Sequence, residues 1–273
     1  MLEKYLQIHP EVRKSISAGE PVVALGSDII SRNVNYPQSI KIANDICKII
    51  RNCGAVPATI AIIDGILKVG LTEEEIELLS LSKNIANAGR KDLPFIISKK
   101  QTCSTTIAAS MILASLAGIK VLATSSIGGV SRKSQDDFNI YADLHELTNT
   151  NVAVICSGIN SILDIESTLK YLNVKGVPVI GYKTNELPVF YEMKRGFTVD
   201  YNVNSSLDIS KALKAKWDLN LNGGVIVANP ITNKSEINYN LMNTTVDIQL
   251  LHNNAKLAAD IARNLSNLYK TKL

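Results

Sequence analysis

The chain has 273 residues, with 29 Lys and Arg against 25 Asp and Glu and a formal charge of +4. So small and evenly spread an excess excludes a dedicated nucleic-acid binder. Apolar residues at 46% and charged residues at 20% exclude global disorder, and a chain of this length buries a core without disulfides or metals.

In chain order, Met1 to Glu20 mixes charges with isolated apolar residues and has no apolar run of the kind a secretion signal needs. Pro21 to Leu25 reads as a buried strand. Gln38 to Cys53 reads as a helix with Ile42, Ile46, Ile49 and Ile50 on one face and Gly54 as its stop. Ala58 to Ile63 and Ile66 to Val69 flank Asp64-Gly65, a hairpin signature. Thr72 and Glu75 form a capping box before a helix carrying Ile76 and Leu79, and Glu73-Glu74-Glu75 suits the dipole of its first turn.

Further strands are expected at Phe95–Ile97, Lys120–Thr124, Val152–Cys156, Val179–Tyr182 and Gly224–Ala228. Further helices are expected at Ser104–Ala117, Asp143–Asn149, Ile162–Leu172, Ser206–Asp218 and about Met242–Leu268. Thr105 to Thr124 is the least polar stretch, but Lys120 interrupts it, so it reads as helix plus strand rather than a membrane span. The alternation predicts a single α/β domain over residues 1–273 with a largely buried central sheet.

Cys47, Cys53, Cys103 and Cys156 have no C-x-x-C spacing and read as reduced thiols of a cytoplasmic protein. His9, His145 and His252 belong to no metal or triad motif. Gly128-Gly129-Val130-Ser131-Arg132 follows a predicted strand, where backbone N–H groups beside an Arg suit phosphate, although a plain tight turn explains the glycines as well. Asn253-Asn254 opens an apolar helix face and reads equally as ligand contact or as solvated helix.

Several strings go further: Pro21-Val-Val-Ala-Leu25, Gly54-Ala-Val-Pro-Ala-Thr-Ile-Ala-Ile-Ile63, Asp92-Leu-Pro-Phe95, Ala117-Gly-Ile-Lys-Val121, Ile127-Gly-Gly-Val130, Ala142-Asp-Leu144, Ser161-Ile-Leu-Asp164, Leu221-Asn-Gly-Gly224, Ala228-Asn-Pro230 and Asn253-Asn-Ala255. In order and over nearly the whole chain, they resemble the pseudouridine-5′-phosphate glycosidase family, the indigoidine-synthase-A-like proteins. The resemblance implies a three-layer α/β/α fold, a homotrimer, and reversible cleavage of pseudouridine 5′-phosphate to uracil and ribose 5-phosphate. It also implies a Schiff base on a Lys, a proton-transferring Glu, and Mn²⁺ held through an Asp. Substrate and phosphate contacts carry over to Thr105, Thr106, Ile107, Thr124, Gly128, Gly129, Arg132, Tyr141, Ala142, Asp143, Asn253 and Asn254.

At the chemical positions this chain departs from the pattern. The nucleophilic Lys falls at Asn160, the proton-transfer Glu at Gly26, the metal Asp at Asn139 and the phosphate Lys at Asn87. Ser131 stands for a His and Tyr141 for a small Ser, while the segment between about 230 and 252 is shortened. An Asn amide is not nucleophilic, since its nitrogen is delocalised into the carbonyl, and a hard cation loses its carboxylate at Asn139. Asp28 and Lys183 are the candidate substitutes; in an extended strand Asp28 shares a face with Gly26 about 6–7 Å further on, and Asp137 stands likewise to Asn139.

The substitutions favour a non-catalytic homologue, a binding or regulatory protein without tightly bound Mn²⁺. The alternatives are altered sugar-phosphate chemistry on a rebuilt site and a working glycosidase. The expected ligand is a small phosphorylated sugar or nucleotide, with no nucleic acid and no membrane. The expected assembly is a homo-oligomer or a hetero-oligomer with an intact paralogue.

Overall fold

The computed structural model describes residues 2–31, 36–82, 85–131, 139–190, 196–230 and 244–271. At the N-terminus, where the sequence reading assigns no element, the chain forms a strand, β1 (Leu6–Ile8), and a helix, α1 (Pro10–Ser17), opened by Pro10. Then follow β2 (Val22–Gly26), α2 (Asp28–Ser31), α3 (Gln38–Asn52), β3 (Val56–Ile63), β4 (Ile66–Val69) and α4 (Glu73–Leu81). The capping box forms: Thr72 Oγ1 accepts from Glu75 N at 3.2 Å, and Thr72 N donates to Glu75 Oε2 at 3.0 Å.

Phe95–Ile97 is not a strand. It lies in α5 (Leu93–Ser98), which has Pro94 in its first turn, buries Leu93 and Ile96 and leaves Phe95 exposed. The next helix, α6 (Ile107–Ala117), starts three residues later than expected. Thr106 caps it, and Ser104–Thr105 pairs instead with Asn87–Ala88.

The chain continues through β5 (Val121–Ala123), α7 (Ala142–Asn149), β6 (Ala153–Cys156), α8 (Ile165–Val174), β7 (Val179–Tyr182), β8 (Tyr201–Val203), α9 (Ser206–Asp218), β9 (Val225–Ala228) and α10 (Thr244–Lys270). The helix expected from Ile162 begins at Ile165, because the Asp164 side chain accepts from Ser167 N and sets the start there. Leu163–Asp164 pairs with Val130–Ser131, which pairs in turn with Asn139–Ile140.

Among the described residues the main sheet has nine strands in the order β1-β4-β3-β2-β5-β6-β9-β7-β8. The strands from β3 to β8 run parallel; the β3–β4 hairpin reverses direction, and β1 pairs parallel with β4. Alternate strand residues feed two cores. Ala24, Leu122, Val154 and Ile226 pack against α1, α6, α7 and α8, whereas Val23, Val121, Ile155 and Val227 pack against α3, α9 and α10. Because both faces are covered, the strands are apolar throughout rather than alternating, and the result is the three-layer α/β/α arrangement the sequence suggests. No helix among the described residues is long and apolar enough to cross a membrane.

Candidate functional site

In an open parallel sheet ligands gather at the carboxyl ends of the strands. Here those ends carry Gly26 on β2, Thr124 after β5, Ser157 after β6 and Asn229 after β9. One side chain ties three of them together. Asn254, fully buried on α10, donates from Nδ2 to the Thr124 carbonyl at 2.8 Å and to Ser157 Oγ at 3.0 Å, and its Oδ1 accepts from Asn229 Nδ2 at 3.0 Å. Both ends of its amide are therefore engaged within the protein, while the neighbouring Asn253 is half-buried.

Asp143, in the first turn of α7, organises the other half of the site. Its Oδ1 accepts from Ala108 N at 3.0 Å and its Oδ2 from Gly128 N at 3.2 Å, so one carboxylate fastens the start of α6 to the glycine turn. Burial pushes its carboxyl pKa up, while the two backbone donors pull it down. The turn needs its glycines. A Cβ on Gly128 would lie 2.8 Å from both Asp143 Oδ2 and Tyr141 Cβ, and one on Gly129 would lie 2.7 Å from Thr168 Oγ1. Tyr141 caps the start of α7 with its ring exposed, and Ala142, also exposed, follows it.

Thr105 is buried, with its hydroxyl 2.9 Å from Ser110 Oγ and 3.1 Å from the Ile60 carbonyl. Thr106 accepts from Ala109 N at 3.2 Å, and Ile107 opens α6 half-buried. Thr124 Oγ1 donates to the Ser126 carbonyl at 3.3 Å.

Asn160 lies in a short strand, Ile159–Asn160, paired with Val189–Phe190, and its Oδ1 accepts from Ile162 N at 3.1 Å. The residue is thus used to close a local turn. Asn87 Oδ1 accepts from Ser104 Oγ at 3.3 Å.

Asp28 departs from the extended geometry expected of it. The chain bends at Ser27 and Asp28 begins α2, which turns its carboxylate back: Asp28 Oδ1 lies 3.1 Å from where a Cβ on Gly26 would stand, with Ser110 Oγ at 3.2 Å. Lys183 is exposed at the end of β7, in the left-handed region at φ 57°, with its ammonium 5.0 Å from the centre of the Tyr182 ring. Four strand spacings separate β7 from β2, about 19 Å, and two separate it from β6, about 10 Å.

Arg132, Asp137 and most of the shortened 230–252 segment, at 231–243, lie outside the described residues, as does the Asn139 side chain. Among the described residues no three His, Cys, Asp or Glu side chains group as metal ligands, and both oxygens of Asp143 already accept backbone N–H groups. The Cys156 thiol, fully buried at the end of β6, is pushed up to about 12 and is no nucleophile at neutral pH.

His252, next to the Asn pair, has its Nε2 buried without a hydrogen-bond partner among the described residues. Burial holds its pKa below the ordinary 6.5, with Asp45 opposing and Lys256 adding to the effect. The unfolded chain therefore takes up the proton first as pH falls. The stability contribution is complete above pH 6.5 and is lost as pH drops toward the folded value. The urea midpoint of the protein should fall between pH 7.5 and 5.5 by more than that of His252→Leu; equal slopes would overturn this assignment.

The Asn254 cross-link and the Asp143 clamp were both named by the sequence as ligand contacts, and their internal roles were not legible there. Ser110 was missed altogether, since nothing in the local sequence marks it.

The family model described as Indigoidine synthase A like protein matches residues 11–248. A Clostridium botulinum (strain Langeland) protein named pseudouridine-5′-phosphate glycosidase is 46% identical over 307 aligned positions, covering 99% of this chain and 100% of the relative. The alignment is longer than the 273-residue chain, so the relative carries residues absent here. A protein of the same name from Alkaliphilus metalliredigens is 52% identical over 246 positions, covering 90% of this chain and 80% of the relative. The crystal structure of the prealnumycin C-glycosynthase AlnA in complex with ribulose 5-phosphate superimposes with a TM-score of 0.89 at 28% identity, covering 98% of this chain and 99% of that one. An indigoidine synthase A-like protein from Thermotoga maritima shares the fold, with a TM-score of 0.85 at 24% identity over 96% of this chain and 97% of that one.

Proposed function

The chain belongs to the indigoidine synthase A-like family, and on that premise we propose that it is a non-catalytic member, a cytoplasmic binding or regulatory protein that keeps the family's sugar-phosphate pocket without its C–C glycosidic cleavage. The observation that carries the proposal is Asn160. Schiff-base chemistry needs an amine that can lose its proton, whereas an amide cannot attack the opened sugar, and this one already accepts from Ile162 N. Lys183 offers no rescue, because it is exposed at the end of β7 with its ammonium 5.0 Å from the centre of the Tyr182 ring, and catalytic atoms must be placed to within about an ångström.

The ligand class is a small phosphorylated sugar or nucleotide. The glycine turn held by Asp143, with Arg132 following it in sequence, supports anion binding, and the similar AlnA structure holds ribulose 5-phosphate. The subunits assemble with themselves or with an intact paralogue.

A second reading has one observation in its favour. The Asp28 carboxylate stands beside the missing side chain of Gly26, so a proton-transferring group persists there even though the amine does not. On this reading the pocket retains acid–base chemistry toward a sugar phosphate.

Calorimetry with ribose 5-phosphate and a uracil-release assay with pseudouridine 5′-phosphate test the proposal. Binding without uracil release, and without borohydride trapping of ribose 5-phosphate, is the expected result. Uracil release that Asp28→Ala or Lys183→Ala abolishes would sink it. Elemental analysis after a chelator wash should find no stoichiometric Mn²⁺; retained Mn²⁺ would return the metal role to Asp137 or Asp143.

A further inference from the structure

A cavity lies at the opposite end of the strands from the candidate site. It has a volume of about 150 Å³ and sits under the amino ends of β2 and β5. Ile16, Pro21, Ile119 and Leu265 form apolar walls, and Glu20 and Tyr269 stand at its rim. One basic side chain, Lys120, also lines it. Its ammonium lies 5.3 Å from the centre of the Trp217 ring, and among the described ion pairs it has no carboxylate partner.

The nearest rim carboxylate, Glu20, is taken by Lys270 at 2.6 Å. The phenol of Tyr269 is held neutral by burial, and its ring receives the Lys214 ammonium at 4.9 Å. The Trp217 indole is itself fixed, donating to the Gly223 carbonyl at 3.2 Å. Lys120 is therefore a half-buried amine on an apolar cavity, opposed only by an aromatic face.

We propose that Lys120 is a modification site, the preferred acceptor on this protein for acyl groups from acyl phosphates. The neutral amine attacks the acyl carbon and a C–N bond forms. The C–O bond to phosphate breaks, inorganic phosphate leaves with the electron pair, and the amine's proton passes to water. Two features of the site favour the step. Desolvation lowers the amine's pKa and so raises its neutral fraction, and the amide product removes a charge from a place where charge is costly. A cavity of about 150 Å³ has room for the transferred acyl group beside the amine. The site is independent of the sugar-phosphate reading, since it shares no residue with it.

The probe is acetyl phosphate on the intact protein at pH 7.5, with labelling followed by peptide mass spectrometry. Lys120 should acetylate several-fold faster than the exposed Lys99, Lys100 and Lys175, and in urea the advantage should vanish. Lys120→Arg should remove the fast phase and leave the other sites unchanged. Labelling of Lys120 no faster than that of the exposed lysines overturns the proposal.

Discussion

Asn160→Lys alone should leave the protein inactive toward pseudouridine 5′-phosphate, while the combined variant Gly26→Glu, Asp28→Thr, Asn139→Asp, Asn160→Lys should release uracil at least about 10²-fold faster than any of the single variants. The reason is that a nucleophile and its proton-transfer group act as a unit. Proton transfer by a placed side chain is worth roughly 10²–10⁴-fold, and an amine without it gains little. Positions 26 and 28 must also change together. A Cβ on residue 26 would meet Asp28 Oδ1 at 3.1 Å and Ser110 Oγ at 3.2 Å, so Gly26→Glu by itself sets two carboxylates side by side in a half-buried place. Like charges there raise a pKa and spoil the acid–base poise, or push Asp28 out of its turn. Thr is the choice at 28 because it keeps a hydrogen-bonding oxygen there without the charge. Losing the Asn160–Ile162 bond costs about 0.5–1.5 kcal/mol, which the fold tolerates. Recovery by Gly26→Glu, Asn160→Lys with Asp28 left in place, equal to that of the full set, would show that the Asp28 carboxylate does not occupy the site of the missing one.

Most of the sheet was legible because its strands are continuous apolar runs punctuated by glycine, and α9 was read to its end residues because Ser205 and the apolar period agree. Where reading failed, the causes are specific. Phe95-Ile96-Ile97 is too short to show a period, and its apolar content outweighed Asp92 and Pro94, which mark a helix start. At the N-terminus Pro10 gave the only sign of α1, and β1 has three residues. In the site, the resemblance located the altered positions, but no local pattern could show Asp28 turning back toward Gly26, since that depends on a bend at Ser27. The Asn254 cross-link was invisible for a different reason: its partners lie 25, 97 and 130 residues away in the chain. Only a sheet that brings β5, β6 and β9 side by side under α10 creates it.

Asp143→Ala should destabilise the protein by about 2–5 kcal/mol and abolish sugar-phosphate binding along with it. The carboxylate is the acceptor for two backbone donors from separate elements, Ala108 N at the start of α6 and Gly128 N in the turn after β5. Truncation leaves both without their partner, the Ala108 donor fully buried and the Gly128 donor half-buried, and each orphaned donor costs roughly 1–3 kcal/mol. At Ala108, which is fully buried, no solvent stands ready to replace the side chain. Asp143→Asn separates charge from geometry. Its amide oxygen can still accept from one donor, but its NH₂ faces the other, so it should lose about half as much stability as Asp143→Ala. Urea denaturation gives the two values, and amide hydrogen exchange at Ala108 and Gly128 shows whether those two protons lose protection first. If Asp143→Asn matches the parent protein in stability, the carboxylate is not the clamp. If Asp143→Ala is destabilised but still binds ribose 5-phosphate with the parent's affinity, the glycine turn is not the anion site.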